Sequence, residues 1–414
     1  MSTSTQPAVW RRPAVLSLLV VALLAELGVA VLNVSAMPVY LTQPDGRGYK
    51  EVIAGVVMMA FLLSEALLKS YFGHLADRYG RLRFVMIAPL IWMVTPLLTL
   101  AVPQAWGHFA VVAIVLLRVF DGVAAAMLWP SLYAGIAEVV GEKERGVALS
   151  LLNVCFMVGL ALGLPFGGAL NSFTHSLNSS FYLASVLFSL TALTAALSSS
   201  KHLPVGKPDH EEHGEPGLRD ILDCVQQIPQ ILALAFITFF GVGLPMVIIK
   251  LFAQREYGLN EAEFGALALP AALIMAGCSV PLGKLGERIG RARAVRIGLF
   301  LCSVGVCAVA LGGYLAIFKT LIIMAIGGIA VGVGFLLALP AWYANVSAIN
   351  PARAGSYLGA VMTIQGVGAI LGLVLGSYLF SFNSYYPFIG CAAAVSVGWL
   401  LSLVALPSEN NSSV

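Results

Sequence analysis

Six titratable side chains stand inside stretches that are otherwise apolar, and each demands a reason for being there. A charged group at the centre of a hydrocarbon layer costs about 2.5–3.5 kcal/mol on insertion scales. Glu26 lies midway along the apolar run 14–41. Arg118 and Asp121 lie three residues apart in the run 108–139, on adjoining faces if the run is helical. Glu65 and Lys69 have the i,i+4 spacing of a helical ion pair, and Lys250 lies near the outer end of the run 229–253, where its long stem can snorkel. Glu26 is about 11 residues into its run and Arg118 about 10 into a run of opposite direction. At about 1.5 Å per residue both reach mid-membrane, so they are candidate partners. An acid facing a guanidinium there keeps its charge until solute or a conformational change separates the two, which suits a proton-coupling site.

The chemistry of soluble catalysis is missing. The sequence holds no HExxH, no GxSxG and no P-loop, so an enzyme is not expected, nor a cofactor or a metal. His210 and His213 form HEEH, which lacks metal-motif spacing and sits in a polar stretch. The six cysteines form no CxxC pair, and five lie in apolar runs, where they read as small buried hydrophobes.

The elements that must hold these charges follow from composition. Of 414 residues, 59% are hydrophobic and 10% charged, against roughly 25% charged in a soluble domain. Such a chain cannot cover a water-facing surface, so its solvent is largely the lipid bilayer. The net charge of +3 is too small and too dispersed for nucleic acid. Apolar runs fall at 14–41, 51–72, 84–104, 108–139, 147–171, 178–199, 229–253, 262–282, 294–317, 320–348, 355–380 and 384–406. Each approaches or exceeds the roughly 20 residues that a spanning helix needs, and the ten-residue alternation of a membrane barrel is missing. The expected fold is therefore an all-α membrane protein of twelve transmembrane helices. The first run is too long for a signal-peptide core and reads as the first span.

The interval 200–228 is polar and proline-punctuated, and reads as a cytoplasmic linker between an N-terminal six-helix bundle, 1–199, and a C-terminal one, 229–414. Arginine and lysine concentrate in alternate loops, including Arg78, Arg81, Arg83, Arg288, Arg291 and Arg293, while the other loops carry few. The positive-inside bias places both termini in the cytoplasm.

The two bundles repeat. Gly73-His74-Leu75-Ala76-Asp77-Arg78-Tyr79-Gly80-Arg81-Leu82-Arg83 follows the second span, and Gly283-Lys284-Leu285-Gly286-Glu287-Arg288-Ile289-Gly290-Arg291-Ala292-Arg293 follows the eighth, an offset of 283 − 73 = 210. Pro130 and Tyr133 match Pro340 and Tyr343 at the same offset, and Gly159, Gly163 and Gly167 match Gly368, Gly372 and Gly376 at 209. A parallel duplication of this kind in transporters places the solute path between the halves.

GHLADRYGRLR resembles the loop signature of the major facilitator superfamily, at the place between spans two and three where that family carries it. The weaker copy, the twelve spans and the central linker extend the resemblance over nearly the whole chain. It implies a bacterial-type inner-membrane carrier working by alternating access on a small-molecule solute, expected as a monomer. It also implies that Asp77, Arg78 and Arg81 belong to a conformational latch with Gly73 and Gly80, echoed by Gly283, Glu287, Arg288, Gly290 and Arg291. Leu117-Arg118-Val119-Phe120-Asp121-Gly122 is similar to a fourth-span motif of proton-coupled members, whose Arg takes part in proton transfer. Here Asp121 replaces the usual polar residue, and is either the titrating group or the counter-charge of Arg118. Gly159, Gly163, Pro165, Gly167 and Gly168 resemble the antiporter motif of the twelve-helix drug:proton antiporters, with Leu164 inserted before the proline. The glycines equally suit close helix packing.

Trp129, Tyr133, Trp342 and Tyr343 occupy related positions and are either cavity lining for a flat or cationic solute or packing residues. The expected function is proton-coupled efflux of small amphipathic compounds. The alternative is proton-linked uptake of a small metabolite, or lipid translocation. Spans seven and eight offer few polar residues beyond Thr238, Lys250 and Gln254, which disfavours a sugar.

Overall fold

The computed structural model describes residues 9–140, 145–199, 226–349 and 354–406. The described chain is all-helical, because a backbone crossing lipid has to satisfy its own N–H and C=O groups. The helices are α1 (Pro13–Val29), α2 (Met37–Thr42), α3 (Glu51–Tyr79), α4 (Arg81–Ala101), α5 (His108–Val139), α6 (Arg145–Thr174) and α7 (Ser179–Ser199). After them come α8 (Pro229–Met246), α9 (Ile249–Tyr257), α10 (Glu261–Ile289), α11 (Arg291–Leu311), α12 (Leu321–Ile349), α13 (Ala354–Phe382) and α14 (Tyr386–Ala405). Among the described residues 11 helices are long and apolar enough to cross a membrane, and α10, the expected eighth span, carries a shorter apolar stretch, Ala262–Met275. Most of the linker, including Cys224, His210 and His213, lies outside the described residues.

Two expected spans are not uniform α-helices. Between α1 and α2 the chain runs as a π-helix, Ala30–Ala36, within one continuous apolar segment, Pro13–Thr42. Span seven breaks after Pro245, where Ile248 takes φ −94° and ψ −4°, and resumes as α9, which ends at Gly258 with φ 66°. Lys250 falls in α9 and is 2% exposed, so it is buried and does not snorkel to the surface.

The chain divides into two compact units. Unit 1 comprises Met1–Tyr49, Val56–His210 and Asn260–Leu269, and unit 2 comprises Lys50–Gly55, Glu211–Leu259 and Pro270–Val414. Within unit 1, α1 packs on α6 and α7, and α4 packs on α5 and α7. Within unit 2, α8 packs on α13 and α14, and α11 packs on α12 and α14. The pattern of neighbours is therefore the same in both, span for span.

The glycine repeat explains how. A Cβ added at Gly159 would meet Glu26 Cβ at 2.9 Å and the Leu23 carbonyl oxygen at 3.0 Å, and one at Gly163 would meet the Leu27 carbonyl oxygen at 3.0 Å. A Cβ at Gly167 would meet Ser35 Oγ at 2.6 Å. In unit 2 the matching glycines face the backbone of α8, where a Cβ at Gly368 would lie 2.6 Å from the Phe236 carbonyl oxygen. Small residues at four-residue spacing thus bring the fifth and eleventh spans against the first and seventh.

The two turns that carry the repeated loop signature are also copies. Gly80 caps α4 with φ 96°, and Gly290 caps α11 with φ 93°, a backbone conformation that side-chain-bearing residues rarely adopt. In each unit the next arginine reaches across to the end of the fourth helix of its bundle. Arg81 forms an ion pair with Glu138, and Arg291 donates to the Ala344 carbonyl oxygen at 3.2 Å.

Candidate functional site

The buried polar centre of unit 1 is built by α1, the π segment, α4 and α5. Arg118 on α5 has no exposure and Asp121, one turn on, is 1% exposed. The two form an ion pair within the helix. Asp121 Oδ1 also accepts from the Thr95 hydroxyl of α4, and Trp92 Nε1 donates to the Asp121 carbonyl oxygen at 2.9 Å. From its other side Arg118 Nη1 donates to Asn33 Oδ1 at 2.8 Å. Among the described residues Arg118 Nε has no hydrogen-bond partner. Two buried opposite charges three residues apart neutralise each other locally, and Thr95 and Asn33 meet part of their remaining hydrogen-bond demand.

Asn33 belongs to the π segment, and Thr95 and Trp92 to α4, so sequence reading missed three participants. The available signals were faint: one amide and one hydroxyl within apolar runs. The expected Glu26–Arg118 pairing does not form. Arg118 is engaged by Asp121 and Asn33, and no hydrogen bond or ion pair of Glu26 is found among the described residues.

Glu26 is instead 4% exposed and sits against the glycine face of α6 at Gly159. Its electrostatic neighbours are Glu65 and Tyr133. Glu65 pairs with Lys69 at 2.9 Å, as its spacing predicts. An isolated carboxylate in an apolar site is costly to keep ionised, whereas the protonated acid is not. The chemistry open to Glu26 is therefore proton uptake and release, or contact with a cation that replaces the proton.

The aromatic residues separate by role. Trp129 is buried and packs edge-on against Phe156 with ring centres 5.1 Å apart. Tyr133 is partly exposed, and its hydroxyl donates to Asn153 Oδ1 at 2.9 Å. Its counterpart Tyr343 donates to Gln365 Oε1 at 3.0 Å. Trp342 has no exposure and lies in the apolar core of unit 2 with Val295, Leu337 and Val361, a packing position.

Pro165 lies inside α6, and Gly163, Gly167 and Gly168 are buried. Of the residues expected to form a latch, Arg78 and Arg288 are exposed at the ends of α3 and α10, while the side chains of Asp77 and Glu287 lie outside the described residues. Gly73 and Gly283 have open space around them, since a Cβ would meet Pro130 only at 3.8 Å in the first and nothing within 4 Å in the second.

The model of the Major Facilitator Superfamily matches residues 9–227 and 231–413. Among named relatives, Multidrug resistance protein 2 of Bacillus subtilis (strain 168) is 23% identical over 366 residues, 87% of this chain and 88% of its own length. Multidrug resistance protein 1 of the same organism is 24% identical over 387 residues, covering 92% and 94%. Among solved structures, the nucleoside transporter NupG aligns over 95% of this chain and 98% of its own, with TM-score 0.73 and 13% identity. At that identity the likeness is one of fold.

Proposed function

The chain belongs to the Major Facilitator Superfamily, and from that premise we propose that this secondary membrane transporter exports small amphipathic compounds in exchange for protons, by alternating access. The observation that carries the reading is Glu26, a buried acid with no hydrogen bond or ion pair among the described residues, whose Cβ lies against the glycine face of α6. Arg118 and Asp121 already neutralise each other, which leaves Glu26 as the group whose charge changes when solute and proton exchange.

A protonated Glu26 keeps the site neutral. Loss of the proton creates a charge that a cationic or strongly dipolar solute would stabilise, so the two ligands compete for one carboxyl. Tyr133, whose hydroxyl is held by Asn153 at 2.9 Å, is the aromatic residue of the same unit that a flat cation could stack on. Arg118 holds Asp121 and Asn33 together and so fixes α5 against the π segment next to that carboxyl. Two relatives named for multidrug resistance support export of apolar compounds over uptake of a hydrophilic one. Arg81–Glu138 and Arg291–Ala344 tie the latch turns to the helix ends in each unit, which supports the conformational role of those loops. We place both termini in the cytoplasm.

Proteoliposomes with an imposed pH gradient and a panel of lipophilic cations test this. Wild type should move a subset of the panel against the proton flow, with saturation. If Glu26→Gln and Asp121→Asn both retain gradient-driven transport, proton coupling through this cluster is wrong.

A further inference from the structure

Unit 2 carries a second polar site, at the membrane face opposite the latch turns. A cavity of about 590 Å³ is lined by residues including Arg255, Glu256, Tyr314, Lys319, Ser384 and Tyr385. It lies where three connections converge: the end of α9, the segment between α11 and α12, and the turn between α13 and α14.

Its charges are paired and balanced. Lys319 Nζ donates to Glu256 Oε2 at 2.8 Å, and Arg255 Nη2 donates to Glu51 Oε1 at 2.7 Å. Burial alone would push the Glu256 carboxyl up, but hydrogen bonds from Lys319 and Ser384 and the charges of Lys319 and Arg255 hold it below its ordinary range. Glu256 is therefore an anion at neutral pH. Both cations remain about half exposed, and the ammonium of Lys319 has three donors, of which Glu256 takes one.

Unit 1 shows what a closed version of this corner looks like. There Arg47 is buried and donates to the Thr99 carbonyl oxygen at 3.1 Å and to the Val102 carbonyl oxygen at 2.7 Å, which ties the loops together. At the repeat offset, Val102 and Pro103 correspond to Gly312 and Gly313, since 312 − 102 = 210. Both glycines lie close to Tyr385, where a Cβ at Gly312 would come within 3.2 Å of Cε1 and one at Gly313 within 2.8 Å of Cγ. The duplication has thus replaced a filled corner with an open, charge-lined one.

The surroundings identify the class of occupant. Tyr314, Ile317 and Phe382 are 72%, 75% and 64% exposed, directly beside the cavity and at the ends of spans α11 and α13. Large apolar and aromatic side chains at that depth contact the headgroup and upper acyl region. The lining holds Arg255, Lys319 and Glu256, and Glu51, paired with Arg255 just outside it, brings the set to zero net charge with separated signs, which matches a zwitterion better than a multivalent anion. We propose that this cavity seats the aminoalkyl phosphate headgroup of a membrane lipid of the phosphatidylethanolamine type, the phosphate on Lys319 and Arg255 and the ammonium toward Glu256 and the tyrosine faces.

The test uses the full chain in phosphatidylcholine nanodiscs, with or without phosphatidylethanolamine, and reads amine-reactive labelling of Lys319 by mass spectrometry as a ratio to the chain's other lysines, so that reagent consumed by the lipid amine cancels. Phosphatidylethanolamine should slow this relative labelling about tenfold or more, as expected for one charge-assisted hydrogen bond to phosphate. Soluble glycerophosphoethanolamine at the same bulk concentration should give no protection. A parallel measurement follows phosphatidylethanolamine retained through delipidation, where Lys319→Gln with Arg255→Gln should lose retention relative to wild type. Equal labelling in the two nanodisc types overturns the proposal. Protection by the soluble headgroup alone overturns its lipid source and assigns the cavity to a free solute.

Discussion

Asp121→Ala offers a direct probe of the buried centre, because the structure fixes what the substitution leaves behind. Arg118 has no exposure and Asp121 1%. Removing the carboxylate strands a guanidinium in a dry site with one good partner, Asn33 Oδ1 at 2.8 Å. Breaking a buried pair by deleting one member costs about 3–5 kcal/mol, most of it the uncompensated charge. Thr95 loses its acceptor as well, but hydroxyls find backbone carbonyls in helices, so that loss is small beside the charge. The double variant Arg118→Met, Asp121→Ala removes the stranded charge with nearly the same volume as the arginine stem. It should recover most of the loss, leaving about 1 kcal/mol for Asn33, whose oxygen then lacks its donor. Equilibrium unfolding in mixed micelles, with folded protein measured as denaturing detergent rises, reads all four corners of the cycle. An Asp121→Ala cost under about 1 kcal/mol, or a double variant no more stable than the single, would refute the reasoning, since neither fits a desolvated ion pair.

Three further outcomes follow from other parts of the fold. Gly159→Val should destabilise by about 1–3 kcal/mol, because its Cβ meets helix α1 at 2.9–3.0 Å, while Gly135→Ala, with nothing within 4 Å, should be neutral or better in the same unfolding assay. Gly80→Ala and Gly290→Ala should each cost about 1–3 kcal/mol and bias the conformational equilibrium, read by cysteine accessibility on the two faces, because both turns sit at φ near 95°. Glu256 supplies a pH dependence: its carboxyl is depressed in the folded state, so its contribution is present above the ordinary glutamate value of about 4.3 and lost as pH falls through the folded value. The stability gap between wild type and Lys319→Gln should therefore be largest above pH ~5 and should close on acidification, and a gap that persists at low pH would rule out the Lys319–Glu256 pair as its source.

Much of the architecture was legible in the sequence, for physical reasons that also mark where reading failed. Run length gives spans because the hydrocarbon has a fixed thickness. The 210-residue offset pairs the turns at Gly80 and Gly290, and the two glycines take the same backbone conformation. The four-residue glycine spacing announced a close helix contact on α6, and the structure supplies α1 as the partner. Uniformly apolar sequence, however, carries no periodicity, so the widened turn at Ala30–Ala36 left no trace in the pattern, and the break at Val247–Ile248 was marked only by Pro245 just before it. The same silence explains the Glu26–Arg118 error. Counting residues gives depth along a helix, but which way a side chain faces is set by azimuth, and azimuth is invisible where every face is apolar. Arg118 shares a depth with Glu26 yet turns to Asp121 and Asn33. Lys250 was misjudged for a related reason, since the break in span seven places it in a short helix with a buried face.

The most direct test of Glu26 as the exchanged carboxyl is proton release in weakly buffered detergent solution when a transported lipophilic cation is added. Wild type should release protons on solute addition, with a stoichiometry near one, and Glu26→Gln should bind the same compound without release. Undiminished release from Glu26→Gln would move the exchanged proton elsewhere and contradict the account.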